Sequence, residues 1–266
     1  MKYIYIFLIS LISFYLLILF YIYFNQRNLL YHPGDNNYLD DKVQFNYKEI
    51  LIEVDQDIKL KSWLIEKDLK KYKTLVFFHG NAGNLFNRVH KLNELHKLDI
   101  NILIISWRGF SGNSGNPTEK NLYQDAQKSI EWLNSKGIES KKIILYGESL
   151  GTGVAVELAQ KNIFNSIILE SPFTSMAKTA KIYYPYLPVN LLLKDKYDSI
   201  NKIHKITKPI LIMHGVKDDL VPYIMSVELF NKANEPKYSF FPKDDNHMMD
   251  FNDKLLNKIR LFIKQH

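Results

Sequence analysis

The sequence predicts an α/β protein with a mostly parallel central sheet, helices on both faces, a short cap insertion and an N-terminal transmembrane helix. Three observations predict it. Short apolar runs rich in β-branched residues alternate with longer amphipathic ones, the pattern of strands buried on both faces between covering helices. Residues 3–24 are uncharged. A Gly-x-Ser-x-Gly pentapeptide, Gly147 to Gly151, stands where one apolar run gives way to a helical pattern.

As a helix rising about 1.5 Å per residue, the uncharged run reaches about 33 Å, enough for a hydrocarbon core of about 30 Å. Tyr3, Tyr5, Tyr21 and Tyr23 lie near its ends, where amphipathic rings favour the interface. A cleaved signal peptide has an apolar region of about 7–15 residues followed by small residues; this run ends in Tyr21-Ile22-Tyr23-Phe24-Asn25-Gln26. Residues 1–24 are therefore expected to be a single-pass anchor with the membrane as partner. Lys2 on one side and Arg27 and Lys42 on the other are too few to set which side the rest occupies. Residues 25–45, with His32-Pro33-Gly34-Asp35-Asn36-Asn37, read as a turn-rich connector that lets the body stand off the bilayer.

Residues 46–266 read as one domain. Stretches 47–54 and 58–65, separated by Asp55-Gln56-Asp57, suit an antiparallel hairpin. Strands are expected over 74–78, 100–107, 142–146, 166–169, 209–213 and 237–241. Between them, Leu122, Ala126, Ile130 and Leu133 recur about a turn apart after Pro117-Thr118-Glu119, a helix with its start signal. The stretch between the 166–169 and 209–213 strands is too long for a plain crossover. It contains Tyr183-Tyr184-Pro185-Tyr186-Leu187-Pro188 and Leu191-Leu192-Leu193, and residues of about 172–206 are expected to form a cap over a pocket.

Composition excludes more than it selects. The 266 residues are 46% hydrophobic and 24% charged, which fits a globular chain. The net charge of +7 is spread among acidic residues, so no nucleic-acid partner is expected. With no cysteine, disulfides, a thiol nucleophile and cysteine-ligated metals are excluded. No phosphate-loop, dinucleotide-loop or His-Glu-x-x-His pattern occurs, and neither cofactor nor metal is expected.

The pentapeptide Gly147-Glu148-Ser149-Leu150-Gly151 carries the chemistry. Its pattern is short, but a credible strand precedes it and a credible helix follows. A sharp strand-to-helix turn lifts the Ser149 hydroxyl clear of the sheet, and side chains at 147 and 151 would strike neighbouring backbone. The same turn puts the Leu150 N–H at a helix N-terminus, able to donate to a developing oxyanion. The loop His79-Gly80-Asn81-Ala82-Gly83-Asn84 after the first parallel strand supplies a second donor, the Asn81 N–H.

A serine hydroxyl needs a base, and the base an orienting acid. Of the histidines after Ser149, His266 is terminal, His204 falls in the cap, and His214 ends a strand and reads as structural. His247, in the loop after the last strand, is the expected base. For the acid, Asp218 and Asp219 lie in a suitable loop, and Glu170, ending the preceding strand, also reaches.

With these residues placed, the sequence resembles the α/β-hydrolase superfamily over nearly all of 45–266, and more narrowly its membrane-anchored ABHD-type branch. The resemblance rests on five ordered motifs: residues 79–84, Arg108-Gly109-Phe110-Ser111-Gly112-Asn113-Ser114-Gly115, the pentapeptide, Glu170-Ser171-Pro172-Phe173-Thr174-Ser175, and the acid motif from His214 to Pro222. The last selects Asp218 and makes Asp219 a helix-start residue. The chain departs at the base, where Asp244-Asp245-Asn246 stands in place of glycines; negative charge there is expected to raise the basicity of His247. The resemblance implies hydrolysis of carboxylic esters or thioesters, with a small-molecule or acylated substrate, some relatives removing palmitoyl groups from proteins. A serine peptidase and a catalytically silent membrane-bound scaffold are the alternative readings.

Overall fold

Eight strands form one sheet in the order β10-β9-β8-β7-β4-β6-β3-β2. The computed structural model describes residues 1–34 and 42–266. In chain order the strands are β1 (His32–Pro33), β2 (Lys48–Asp55), β3 (Ile58–Ile65), β4 (Thr74–Phe78), β5 (Ala82–Gly83), β6 (Asn101–Ile105), β7 (Ile143–Glu148), β8 (Ser166–Glu170), β9 (Ile210–Met213) and β10 (Lys237–Phe240). The hairpin β2–β3 and the β3–β6 pair are antiparallel, and every other pair in the sheet is parallel. The five central strands β4, β6, β7, β8 and β9 are buried at every position, which is why they read as unbroken apolar runs.

The helices are α1 (Lys2–Leu30), α2 (Val89–Leu95), α3 (Glu119–Ser135), α4 (Leu150–Ala159), α5 (Met176–Tyr183), α6 (Val189–Leu192), α7 (Ile224–Lys232) and α8 (Asp253–Gln265). Two apolar cores form, one on each face of the sheet. One joins β2, β4 and β7 side chains to α3 and α4 through Leu122, Ala126, Val154 and Leu158; the other packs Leu92, Leu95, Leu255 and Ile259 of α2 and α8 against Phe77, Tyr146 and Ile168. Helix α3 begins where expected, with the Thr118 hydroxyl accepting from Asn121 N–H at 3.1 Å.

Helix α1 is long and apolar enough to cross a membrane, and none of its residues is buried. It continues past Phe24 to Leu30, through residues expected to start the connector. The cause is tertiary: Gln26 accepts from Lys194 N–H at 2.8 Å and donates to Leu192 O at 3.1 Å, while Arg27 makes a two-point pair with Asp195. These contacts give polar groups of the last helical turns partners on the body. At residues 32–33, β1 then pairs in parallel with β5, in the loop after β4. The body thus does not stand off from α1 but is docked on its C-terminal end. The middle of the connector, residues 35–41 with Asp35-Asn36-Asn37, lies outside the described residues.

Between β8 and β9 the chain forms α5, α6 and a 3-10 turn at Ile203–Lys205, lying over the end of the sheet from which the pentapeptide projects.

Candidate active site

The site is assembled at the C-terminal ends of β4, β7, β8 and β9. Ser149 sits between β7 and α4 with φ 49° and ψ −116°, a conformation few non-glycine residues adopt. Its neighbours make that turn possible. A Cβ at Gly151 would lie 2.0 Å from Phe78 O, and one at Gly147 would lie 2.5 Å from Thr152 Cα. Ser149 N–H donates to Glu170 O at 2.9 Å, and Thr152 N–H donates to Ser149 O, so the turn is pinned on both sides.

Three of the sequence-identified side chains meet. Ser149 Oγ lies 2.9 Å from His247 Nε2, and His247 Nδ1 lies 2.6 Å from Asp218 Oδ2. Asp218 also accepts the N–H groups of Leu220 and Val221 at Oδ1, both at 2.8 Å. Burial alone would push its carboxyl up, but hydrogen bonds from His214 and His247, the His247 charge and the Val221 N–H outweigh that and hold it below the usual carboxylate range. A carboxylate that stays ionised keeps the Nδ1 proton on His247 and leaves Nε2 facing Ser149.

The other acids go elsewhere. Glu170 is fully buried, with Oε1 2.6 Å from Lys91 Nζ and Oε2 accepting from the Tyr146 hydroxyl. Asp219 is exposed; it does not start a helix, because Pro222 and Tyr223 intervene before α7 begins at Ile224. Asp244 is exposed and pairs with Lys217 at 2.7 Å, and Asp245 accepts from Asp250 N–H, so neither carboxylate bonds the His247 ring. The His247 loop instead packs on Gly215, where a Cβ would come within 2.4 Å of Asp245 O and Asn246 O.

Asn81 and Leu150, whose N–H groups are the expected donors, both border the Ser149 pocket. His79 Nδ1–H donates to Gly80 O at 2.8 Å. A trans peptide points its C=O and N–H in opposite directions, so fixing Gly80 O aims the Asn81 N–H the other way. Neither the Asn81 nor the Leu150 N–H donates to a backbone acceptor among the described residues. Both residues line a cavity of about 170 Å³ with Ser149, His247, Phe173 and Met176.

Sequence reading missed the groups behind the site. Glu148 Oε1 accepts from Gly80 N–H at 3.1 Å and from Arg88 at 2.6 Å, and Oε2 meets Lys91 at 2.7 Å. Burial penalises the Glu148 charge, but Arg88 and Lys91 outweigh it and hold the carboxyl well below its usual range. This ion cluster ties the loop after β4 to the elbow, so Asn81 and Ser149 share one frame. Ser171, with φ 49°, donates to His247 O at 2.7 Å. His214, read as structural, lies 2.7 Å from Asp218 Oδ2. The signal for it was present, since the acid motif contains that histidine. Arg88 and Lys91 carried none, because the partner they share is Glu148, the variable residue of the pentapeptide, and the second partner of Lys91, Glu170, is distant along the chain.

A family model described as the prolyl oligopeptidase family matches residues 98–256, more than half of the chain. The chain belongs to that family, within the α/β-hydrolase superfamily. Among relatives, the Mycobacterium tuberculosis protein Rv2307c is 32% identical over 255 residues, covering 93% of this hydrolase and 90% of its own length. Human alpha/beta hydrolase domain-containing protein 17B is 32% identical over 195 residues, covering 72% of the hydrolase and 66% of the human chain. The Pyrococcus furiosus esterase PF2001 superposes with a TM-score of 0.72 at 20% identity, covering 89% of the hydrolase and 97% of the esterase, a likeness of fold. The mostly parallel sheet and the elbow after β7 are what these relationships imply for the hydrolase.

Proposed function

We propose that this protein is a single-pass membrane serine hydrolase that cleaves carboxylic esters or thioesters through an acyl-enzyme. The observation that carries the reading is the unbroken hydrogen-bonded series from Ser149 Oγ through His247 to Asp218. Ser149 Oγ attacks the carbonyl carbon as His247 Nε2 takes its proton. The oxyanion is received by the Asn81 and Leu150 N–H groups. Collapse breaks the bond to the alcohol or thiol, which leaves with the proton from His247. Water, deprotonated by the same nitrogen, then releases the acid and frees Ser149.

The peptidase reading is favoured by the description of the matching family. Against it stands the lining of the pocket: Leu30, Phe173, Met176, Leu220 and Val221 surround Ser149, and among the described residues none of the lining is acidic. An apolar lining suits the hydrocarbon part of an acyl group, and it offers no carboxylate to a substrate with a free amino terminus. Ser149→Ala should abolish both ester hydrolysis and labelling by a fluorophosphonate; labelling that persists removes Ser149 as nucleophile. Faster turnover of short aminoacyl amides than of acyl esters decides for the peptidase.

A further inference from the structure

Beside the Ser149 pocket lies a second cavity, of about 210 Å³, between α1 and the cap. The two share Leu30, Met176 and Thr179 in their linings, so they lie side by side. We infer that this cavity is the groove for the acyl chain of the substrate, and that the membrane helix is one of its walls. The inference rests on the ester or thioester reading above and adds to it the substrate class and the part of the chain that selects it.

The groove is apolar by construction. Ile22, Leu29 and Leu30 of α1 face Ala180, Leu187 and Leu192 of the cap. Gln26, Thr179 and Tyr183 in its lining turn their polar groups to other partners. Gln26 spends its amide on Leu192 O and Lys194 N–H, the Thr179 hydroxyl donates to Ser175 O, and the Tyr183 hydroxyl donates to Asp219 O and Leu220 O. A chain of methylenes loses nothing by entering such a slot and gains by leaving water.

Its direction points to the bilayer. From Leu30 back to Ile22 the lining follows α1 for about 12 Å, towards the segment long enough to cross a membrane. The cap follows the helix further, since the Tyr15 hydroxyl donates to Tyr186 O at 2.8 Å. Ile182, Tyr183, Tyr184, Tyr186 and Leu191 of the cap are exposed, apolar and aromatic side chains suited to the lipid interface. Lys194 lies over the Tyr23 and Phe24 rings, a cation with aromatics at the depth where headgroups would be.

The wall is held in place rather than adjacent by chance. Asn81 Nδ2 donates to Leu30 O at 2.7 Å, and His32 N–H donates to Asn81 O at 2.8 Å. The residue offering an oxyanion donor is thus bonded to the end of α1. Tyr31 and Tyr197 hydroxyls meet at 2.8 Å in the core, and Arg27 is paired with the buried Asp195. An ester carbonyl at Ser149 would have its acyl chain leave along α1.

The test uses the full chain in phospholipid nanodiscs and a hexadecyl fluorophosphonate carrying a diazirine near the end of its alkyl chain. After reaction at Ser149 and illumination, mass spectrometry should find the crosslink on peptides containing Ile22 to Leu30 or Ala180 to Leu192. Labelling at Ser149 with crosslinks only to lipid or to other peptides overturns the groove and leaves the hydrolase reading standing. Absence of labelling overturns the hydrolase reading itself. A second measurement uses Ala180→Trp and Leu29→Trp, which fill the groove from opposite walls. In each, the ratio of kcat/KM for palmitoyl to butyryl esters should fall at least about tenfold, one decade for each 1.4 kcal/mol of lost chain burial. An unchanged ratio in both overturns the inference.

Discussion

His214 holds the same oxygen of Asp218 that His247 uses, at 2.7 Å from its Nε2 against 2.6 Å from His247 Nδ1. His214 Nε2 is also 2.9 Å from Val221 O, and two acceptors at one nitrogen require that it carries the proton. Under the proposed mechanism His214 would act on the reaction through Asp218, as a positioning residue. A hydrogen bond to a charged group is worth about 1.5–3 kcal/mol, so His214→Phe should lower kcat/KM by about 10–100-fold. Because His214 helps hold the Asp218 carboxyl down, its loss should also move the acid limb of the pH–rate profile to higher pH. His214→Gln, which keeps a donor near that oxygen, should recover part of both. A rate unchanged in His214→Phe would make the histidine merely structural.

Asp218→Asn and Glu170→Gln separate two buried acids by different readouts. Asp218→Asn removes the charge that orients His247 and should cut kcat by about 10⁴-fold with a folded protein. Glu170→Gln leaves Lys91, which is fully buried, with Glu148 as its remaining carboxylate. Breaking a buried pair costs about 3–5 kcal/mol, so its signature should be a lowered unfolding midpoint. If Glu170→Gln instead abolishes turnover at full stability, the acid has been misassigned.

These contrasts show where the sequence was legible. Strands β4 and β8 announced themselves because both faces are buried, and an unbroken apolar run needs no knowledge of partners. Ser149 and Asp218 were legible because the elbow and the acid motif are local patterns, and His247 because it is the histidine left in the loop after the last strand once the others are set aside. The end of α1 was not. Asn25-Gln26-Arg27 reads as polar connector, and only Leu192, Lys194 and Asp195, distant along the chain, supply the bonds that keep it helical. Lys91 was hidden for the same reason, since a lysine on a short helix reads as solvent-facing until Glu148 and Glu170 close over it.

Two glycines should respond oppositely to alanine. At Gly137, φ is +82° but nothing lies within 4 Å of the point a Cβ would occupy, so Gly137→Ala should cost about 1 kcal/mol in backbone strain and leave turnover alone. At Gly151 the new methyl would meet Phe78 O at 2.0 Å. The backbone of the elbow must then shift away from β4, which carries the Asn81 loop, and a misplacement of about 1 Å can cost about 10²-fold. Gly151→Ala should therefore lose at least that factor in kcat/KM, checked by ester hydrolysis beside unfolding midpoints for both variants.

Acid sensitivity should trace to His79. Burial, then the neighbouring Arg88 charge, push its pKa down to about 3. The unfolded chain takes up a proton near pH 6.5 while the fold refuses it until about pH 3. Stability from this group is thus complete above about pH 6.5 and is lost as pH falls towards the folded value, by up to about 1.4 kcal/mol per pH unit. Asp218, also depressed, contributes in the same direction but only below the unfolded aspartate value of about 3.9. Glu170, whose carboxyl is pushed up by burial, works with the opposite sign. The difference between wild type and His79→Gln, measured by denaturant unfolding from pH 7 to pH 4, isolates the histidine. The variant should show the shallower loss of stability on acidification; parallel curves would mean that His79 takes its proton in the folded state as readily as in the unfolded one.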